Sequence, residues 1–247
     1  MDFTLNQYRA LLKALKQHGN YHIRHDVDAR PSYALRMAQI EAGMGVQATY
    51  YFRAIHFKSH AATIKAVAAL GHAIGYHYEC LTTTRGDEEA AYVDFQNNLA
   101  LLREIVPVRT ACAHGSPRSY WNSQDMWSKY DLHALGIDYE PMLDTDFSRT
   151  LYLTDTGRRW DGFKVSVRDK VPQFQSQWEK EGLVFHSTPE LICALADLQH
   201  PLRRKELLVN VHPQRWMPWG FSYLSELVLQ WIKNVFKRIL ISRSNVF

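Results

Sequence analysis

The sequence has few cysteines and no long apolar run, and each shortage excludes a class of protein. Only three of the 247 residues are cysteine, and none lies in CxxC spacing. Three thiols are too few for a disulfide-stapled mini-protein and favour a reducing compartment. No stretch approaches the roughly 18 uninterrupted apolar residues that a membrane span requires. The first 20 residues also lack a signal-peptide pattern. These absences predict a soluble, cytoplasmic protein.

An excess of charge of one sign is also missing. There are 29 Lys and Arg residues against 25 Asp and Glu, a net charge of +4. This mild balance does not indicate a nucleic-acid partner, which usually shows a basic patch or stripe. Hydrophobic residues make up 46% of the chain, which excludes a disordered protein. Residues 43–48 match the pattern GxGxxA, but this segment follows a predicted helix and precedes a predicted strand. A dinucleotide-binding motif has the opposite order, strand then helix, so the match does not indicate a dinucleotide site.

Short β-type runs alternate with helical patterns along the chain. Strands are predicted over Tyr21–Val27, Gln47–Arg53, Ala73–Glu79, Val108–His114, Leu151–Thr154, Leu183–His186 and Leu207–His212. Helices are predicted over residues 1–20, 31–43, 61–70, 87–106, from Thr188 as N-cap, and over 222–241 packed on the barrel. Such alternation indicates a parallel sheet covered by helices. About seven units suit one α/β domain over residues 1–247, a closed or nearly closed (β/α) barrel.

Polar residues stand at the ends of several predicted strands. In a barrel the carboxyl ends of the strands meet on one face, where active sites are built. Alternation along the first strand places Arg24, Asp26 and Asp28 on one face and His25 on the other. Two nearby carboxylates can bind a cation or divide into base and ligand. Alternatively, one aspartate caps the next helix and the other pairs with Arg24.

Histidines supply the other candidate groups. His77 and Glu79 share one face at the end of their strand, while His114 and His212 each end an apolar run. Imidazole is the commonest metal ligand and can also donate a proton near neutral pH. Taken one at a time, each of these histidines also fits a hydrogen-bonded core residue.

Four motifs in order resemble a known family: RHDVD, ATYYFR, GHAIGYHYE and LLVNVH, between about Tyr21 and Trp216. The resemblance is to the polysaccharide deacetylase superfamily, carbohydrate esterase family 4 (CE4), with its NodB-homology domain. It implies a distorted (β/α) barrel that removes acetyl groups from amino sugars with the help of a divalent metal. It further implies that Asp26 is the general base and that Asp28 and His77 are metal ligands. His212 then corresponds to the general acid.

Leu81 departs from the family pattern, which has a second metal-binding histidine four residues after the first. Leucine cannot coordinate a metal, so another donor is needed for a three-ligand site. His114 is the preferred replacement and Glu79 the second choice. HGSP also stands where the family has an Arg-Pro pattern. The alternatives are a carbohydrate-binding protein that has lost catalysis and another metal hydrolase, such as a phosphoesterase.

The remaining expectations concern the ligands. The cofactor is expected to be Zn²⁺ or another divalent metal. The substrate is expected to be a carbohydrate, or a nucleotide- or lipid-linked amino sugar. Candidate substrate-binding residues, for charge or for stacking on a sugar, are Arg53, Glu79, Arg159, Arg215 and Trp216. For the basic helix over residues 222–241, packing on the barrel is favoured over contact with a membrane surface.

Overall fold

The computed structural model describes residues 2–116, 119–161, 166 and 168–217. The chain divides into two compact units. The first unit comprises Met1–Ile23 and Asp146–Phe247, and the second comprises Arg24–Thr145. The predicted helix over residues 222–241 lies outside the described residues. Within the described part of the chain, no helix has the length and apolar character needed to cross a membrane.

The second unit is built on parallel strands. Its elements, in chain order, are β1 (Tyr21–Val27, which begins in the first unit), α2 (Pro31–Gly43), β2 (Thr49–Phe52), α3 (Ala61–Ala69), β3 (Ala73–Tyr78), α4 (Cys80–Thr83), α5 (Glu88–Arg103) and β4 (Ala111–Ala113). Strand β2 pairs in parallel with β1 and β3, and β3 pairs in parallel with β4. The register sets His77 opposite Cys112. The carboxyl ends of these four strands therefore lie along one edge of the sheet.

The first unit contains the parallel pair β5 (Thr150–Thr154) and β6 (Glu206–Val211). Its helices are α1 (Leu5–His18), α6 (Pro172–Lys180) and α7 (Thr188–Ala196). The hydroxyl of Thr4 accepts a hydrogen bond from the Gln7 N–H at 3.3 Å and caps the start of α1. A cluster of buried aromatic rings fills the core of this unit: Phe3, Tyr8, Trp160 and Trp216.

The strand order is β4-β3-β2-β1-β6-β5, with β4 and β5 as the edges. The predicted α/β class with a parallel sheet is confirmed. The described residues form six strands, and the sheet they form is open. The predicted strand over Leu183–His186 is wrong. That segment makes single bonds to a helix and a loop, with Leu183 N–H bonded to Trp178 O and Phe185 O accepting from Trp160 N–H.

The predicted helix starts and ends differ from the structure by a few residues. Asp87 caps α5 through a 3.0 Å bond from the Ala90 N–H. Ser187, rather than Thr188, is the N-cap of α7, with its hydroxyl accepting from the Glu190 N–H. Thr188 is unsuited to that position because its hydroxyl accepts a hydrogen bond from the indole of Trp160 at 3.1 Å.

Candidate active site

Strand β1 orients the first polar residues as alternation predicts. Arg24 and Asp26 are buried, and Arg24 Nη2 donates to Asp26 Oδ2 at 3.1 Å. His25 points the other way, where its Nε2 lies 2.6 Å from Oε1 of the buried Glu41 on α2. His25 is therefore a structural histidine. Asp28 follows the strand and is one-quarter exposed.

Three predicted metal ligands of the second unit lie together. Asp28 Oδ1 is 3.4 Å from His77 Nε2 and 3.3 Å from His114 Nε2. The two imidazole rings meet edge to face with centroids 5.1 Å apart. One donor atom from each of the three residues falls within 4.8 Å of the other two. His77 is buried, whereas His114 keeps 15% of its side chain exposed.

These three side chains fit a divalent metal such as zinc. Zinc takes imidazole nitrogen and carboxylate oxygen donors at about 2.0–2.2 Å, so donors at two corners of a tetrahedral site are about 3.3–3.6 Å apart. The distances of 3.3 and 3.4 Å to Asp28 Oδ1 match that spacing. Leu81, by contrast, is a buried apolar residue of α4. His114 thus occupies a place from which it can supply the third donor.

Glu79 and Arg53, predicted to bind substrate, are engaged with each other and with His114. Glu79 Oε1 accepts from Arg53 Nε at 3.0 Å and from Arg53 Nη2 at 2.6 Å. Glu79 Oε2 lies 3.0 Å from His114 Nδ1. Burial opposes ionisation of Glu79, but the bonds from His114 and Arg53 outweigh it and lower the pKa of the carboxyl to about 2. Glu79 is therefore a carboxylate at neutral pH and can hold the imidazole of His114.

Asp26 lies beside the candidate metal ligands. A carboxylate oxygen of Asp26, a ring nitrogen of His77 and the Cys112 sulfur fall within 4.8 Å of one another. Burial opposes protonation of His77, but the carboxylates of Asp26 and Asp28 outweigh it, so the pKa of His77 is raised. A cation close to this imidazole would replace that proton, as metal binding requires.

Sequence reasoning missed two buried residues near Arg24. Cys112 is buried, and its sulfur accepts a hydrogen bond from Arg24 Nη1 at 3.0 Å. Glu140 is fully buried, and its Oε1 accepts from the Ala113 N–H at 2.9 Å, next to His114. Burial raises the pKa of Glu140. The position of Cys112 two residues before His114 is a signal for a shared face, but no sequence pattern marks Glu140.

The first unit holds a separate cluster around Asp155, which sequence reasoning also missed. Asp155 is fully buried and follows β5. It accepts from His212 Nδ1 at 2.6 Å, from the His212 N–H at 2.9 Å and from the Trp216 indole at 2.8 Å. Arg215 also donates to it. Burial opposes ionisation of Asp155, but Arg215 and His212 outweigh it and lower the pKa of this carboxyl.

Contacts with Asp155 fix the orientation and burial of three predicted site residues, His212, Arg215 and Trp216. The bond from Nδ1 fixes the His212 ring so that Nε2 is its outer nitrogen. Arg215 is buried against Asp155, and Trp216 is fully buried in the aromatic core, so its ring has no exposed face for a sugar. Arg159, in the same unit, forms a two-bond ion pair with Asp161 at 2.6 and 3.1 Å. The first signal for Asp155 in the sequence is its place at the end of a strand.

A scan of protein-family models and a search of curated proteins give no match to this chain. Among solved structures, a CE4 family pseudoenzyme from Bacillus anthracis and a mutant of it with restored enzymatic activity are similar, each with 11% identity and a TM-score of 0.43. The match covers 88% of this chain but only 61% and 63% of the chains of the pseudoenzyme and the mutant, respectively.

Two further solved structures are similar over most of both chains. A CE4 esterase from Streptococcus mutans has 14% identity and a TM-score of 0.46, with 91% of this chain and 86% of that chain covered. The peptidoglycan deacetylase PdaC from Bacillus subtilis has 11% identity and a TM-score of 0.42, with 90% and 98% covered. CE4 is also the family that the sequence motifs resemble.

Proposed function

We propose that this protein is a metal-dependent hydrolase that removes an acetyl group from an amino sugar or a glycan precursor. The observation that carries the proposal is the cluster of Asp28, His77 and His114, whose donor spacing fits a divalent metal. Zinc is the proposed metal, because one carboxylate and two imidazoles are donors that it accepts. Bound there, the metal would polarise the acetyl carbonyl and lower the pKa of a bound water.

Asp26 is the proposed general base. It is buried beside His77, as a base acting on a water close to the metal must be. The guanidinium of Arg24 holds one carboxylate oxygen, Oδ2, at 3.1 Å. This bond fixes the orientation of the carboxylate.

His212 is the proposed general acid for the departing amine. Its Nδ1 is held by the buried carboxylate of Asp155, which orients the ring. This arrangement supports proton donation from Nε2. The resemblance to the deacetylase family supplies the rest of the assignment, and the role of His212 stays a prediction.

The substrate class rests on the resemblance of the motifs. We propose a carbohydrate, free or linked to a nucleotide or lipid carrier, with an N-acetyl group. Arg159, 25% exposed at its side chain, is the proposed contact for the substrate among the predicted arginines. A cytoplasmic location stays a prediction.

The first experiment is a calorimetric titration of Zn²⁺ into chelator-stripped protein. About one ion per chain should bind tightly to the wild type, and binding should be lost in Asp28→Asn and His114→Ala. His133→Ala is the matched control, because His133 is an exposed histidine of the same unit that lies near Asp144. If zinc does not bind to the wild type, the proposed metal site is wrong. If zinc binds to His114→Ala as tightly as to the wild type, His114 is not the third donor.

Acetate release tests the reaction itself. The wild type loaded with zinc should release acetate from an N-acetylated amino sugar, and Asp26→Asn should abolish the release while zinc stays bound. Full activity of Asp26→Asn would overturn its assignment as the base.

The rival function, a carbohydrate-binding protein without catalysis, is motivated by Leu81. It predicts sugar binding without acetate release and without any effect of chelators.

A further inference from the structure

We propose that Glu79 is a positioning residue that fixes the ring of His114, and that Arg53 in turn anchors Glu79. The inference rests on the proposed metal site and adds to it two residues that touch neither the metal nor the substrate. It replaces the expectation that Glu79 and Arg53 bind substrate. Because Glu79 binds Nδ1 of His114, Nε2 is the nitrogen that remains to bind a metal.

The two nitrogens of His114 have different neighbours. Nδ1 lies 3.0 Å from Glu79 Oε2, and Nε2 lies 3.3 Å from Asp28 Oδ1. A carboxylate has no proton to donate, so the hydrogen bond to Glu79 requires the proton on Nδ1. In the neutral ring Nε2 then carries the lone pair. Glu79 therefore selects the tautomer of His114 that can act as a metal ligand at Nε2.

His77 shows the same division of tasks with a different partner. Its Nδ1 lies 3.0 Å from the backbone carbonyl oxygen of Cys112, and its Nε2 lies 3.4 Å from Asp28 Oδ1. In both histidines, Nδ1 is hydrogen-bonded to an acceptor oxygen of the protein, and Nε2 faces Oδ1 of Asp28. A backbone carbonyl suffices for His77, which is buried within β3.

His114 needs a stronger constraint than His77. It lies one residue beyond the end of β4 and keeps 15% of its side chain exposed, against 1% for His77. Packing alone therefore leaves its ring freer to rotate. A charge-assisted hydrogen bond to a carboxylate is shorter and stronger than a bond between neutral groups. Glu79 supplies such a bond at the position where burial does not fix the ring.

Arg53 fixes the carboxylate in its turn. Its Nε and Nη2 both reach Oε1 of Glu79, at 3.0 and 2.6 Å, so Oε2 is the oxygen turned to His114. Arg53 Nη1 also donates to the backbone oxygen of Asp28 at 3.4 Å. Arg53 therefore ties the supporting carboxylate to the segment that carries the first metal ligand.

The test compares Glu79→Gln with the wild type in two measurements. Glutamine keeps the size of the side chain, but its single carbonyl oxygen cannot serve both Arg53 and His114. Zinc affinity, measured by calorimetry, should fall about 10- to 100-fold, as is usual when the outer partner of a ligating histidine is lost. Glu88→Gln is the matched control, because Glu88 is an exposed carboxylate of the same unit, 3.8 Å from Lys129, and should bind zinc like the wild type.

The second measurement needs neither metal nor activity. Nitrogen-15 NMR of the metal-free protein reports the tautomer of His114, assigned with the His114→Ala spectrum. The wild type should show the proton on Nδ1, and Glu79→Gln should show a mixture of tautomers. A mixture in the wild type would overturn the positioning role, whether or not Glu79→Gln folds.

The outcomes separate this inference from the proposed function. If the wild type binds zinc and Glu79→Gln binds it equally well, the positioning role is overturned and the metal site stands. If the wild type binds no zinc, the proposed function fails, while the tautomer of His114 still decides the role of Glu79. Weaker zinc binding together with a mixed tautomer in Glu79→Gln supports the inference.

Discussion

Replacing Asp155 by asparagine should strongly destabilise the first unit. Asp155 is fully buried and accepts hydrogen bonds from the ring and backbone of His212, from Arg215 and from the Trp216 indole. Asparagine offers one acceptor oxygen and turns an amide N–H₂ group toward these donors. It also leaves the buried guanidinium of Arg215 without the countercharge of Asp155.

The size of the effect follows from burial. Removing one partner of a buried ion pair costs about 3–5 kcal/mol, because the other charge stays desolvated. That is a large part of an ordinary free energy of unfolding, about 5–15 kcal/mol. With a urea dependence of about 2–3 kcal/mol per molar, the unfolding midpoint should fall by about 1–2.5 M.

Urea unfolding followed by tryptophan fluorescence measures this shift, because the rings of Trp160 and Trp216 lie 6.1 Å apart in the core of the same unit. Asp138→Asn is the matched control, because Asp138 also makes two bonds to an arginine, Arg109, but both side chains are exposed. Surface pairs of this kind contribute little to stability. Equal midpoint shifts in Asp155→Asn and Asp138→Asn would refute the argument from burial.

The same carboxylate predicts a pH dependence. Because Arg215 and His212 lower the pKa of Asp155 in the folded state, the unfolded state binds more protons in the acid range. The stability from this group is present above the ordinary aspartate pKa of about 3.9 and is lost as the pH falls through the lower folded pKa. The acid limb of a stability curve against pH should therefore be flatter in Asp155→Asn than in the wild type.

Two other substitutions test the second unit. Gly75→Ala should lower the melting temperature, because a Cβ there would lie 2.4 Å from the buried ring of Tyr51, and overpacking costs about 1–3 kcal/mol. Gly43→Ala, with nothing within 4 Å of the added atom, is its control, and equal melting temperatures would contradict the steric argument. Leu81→His should leave the zinc affinity unchanged, because His114 is the third protein donor of the proposed site. A large gain in affinity in the calorimetric titration would show that His114 does not.

The positions of the strands were the most predictable feature of the fold. The predicted bounds of β1 agree with the structure, because Ile23 and Val27 alternate with the polar face. The segment Leu183–His186 has a similar apolar run, but it makes no strand since its backbone partners belong to a helix and a loop. A short apolar run indicates that a segment is buried, but it does not indicate whether its backbone pairs with another strand.

The partners of the site residues were harder to predict. The alternation along β1 and β3 predicted which residues share a face, and Asp26, Asp28, His77 and His114 do lie together in the second unit. Asp155 was missed, because its place at the end of a strand does not by itself distinguish a buried acceptor from an aspartate in a turn. The sequence did not pair Glu79 with Arg53, which is 26 residues away in sequence. Side-chain partners that are distant in sequence are set by register and packing, which one sequence does not display.

The geometry of the second unit explains how the site can do without a histidine at position 81. Asp28, Arg53, Glu79 and His114 each follow directly after one of the four adjacent strands β1, β2, β3 and β4. Each of the four side chains or its backbone contacts the next, and His114 returns to Asp28 at 3.3 Å. Because all four lie at the same edge of one parallel sheet, the third donor of the proposed metal site would come from a neighbouring strand and would need no contribution from α4. The residue at position 81 is then free to be an apolar core residue.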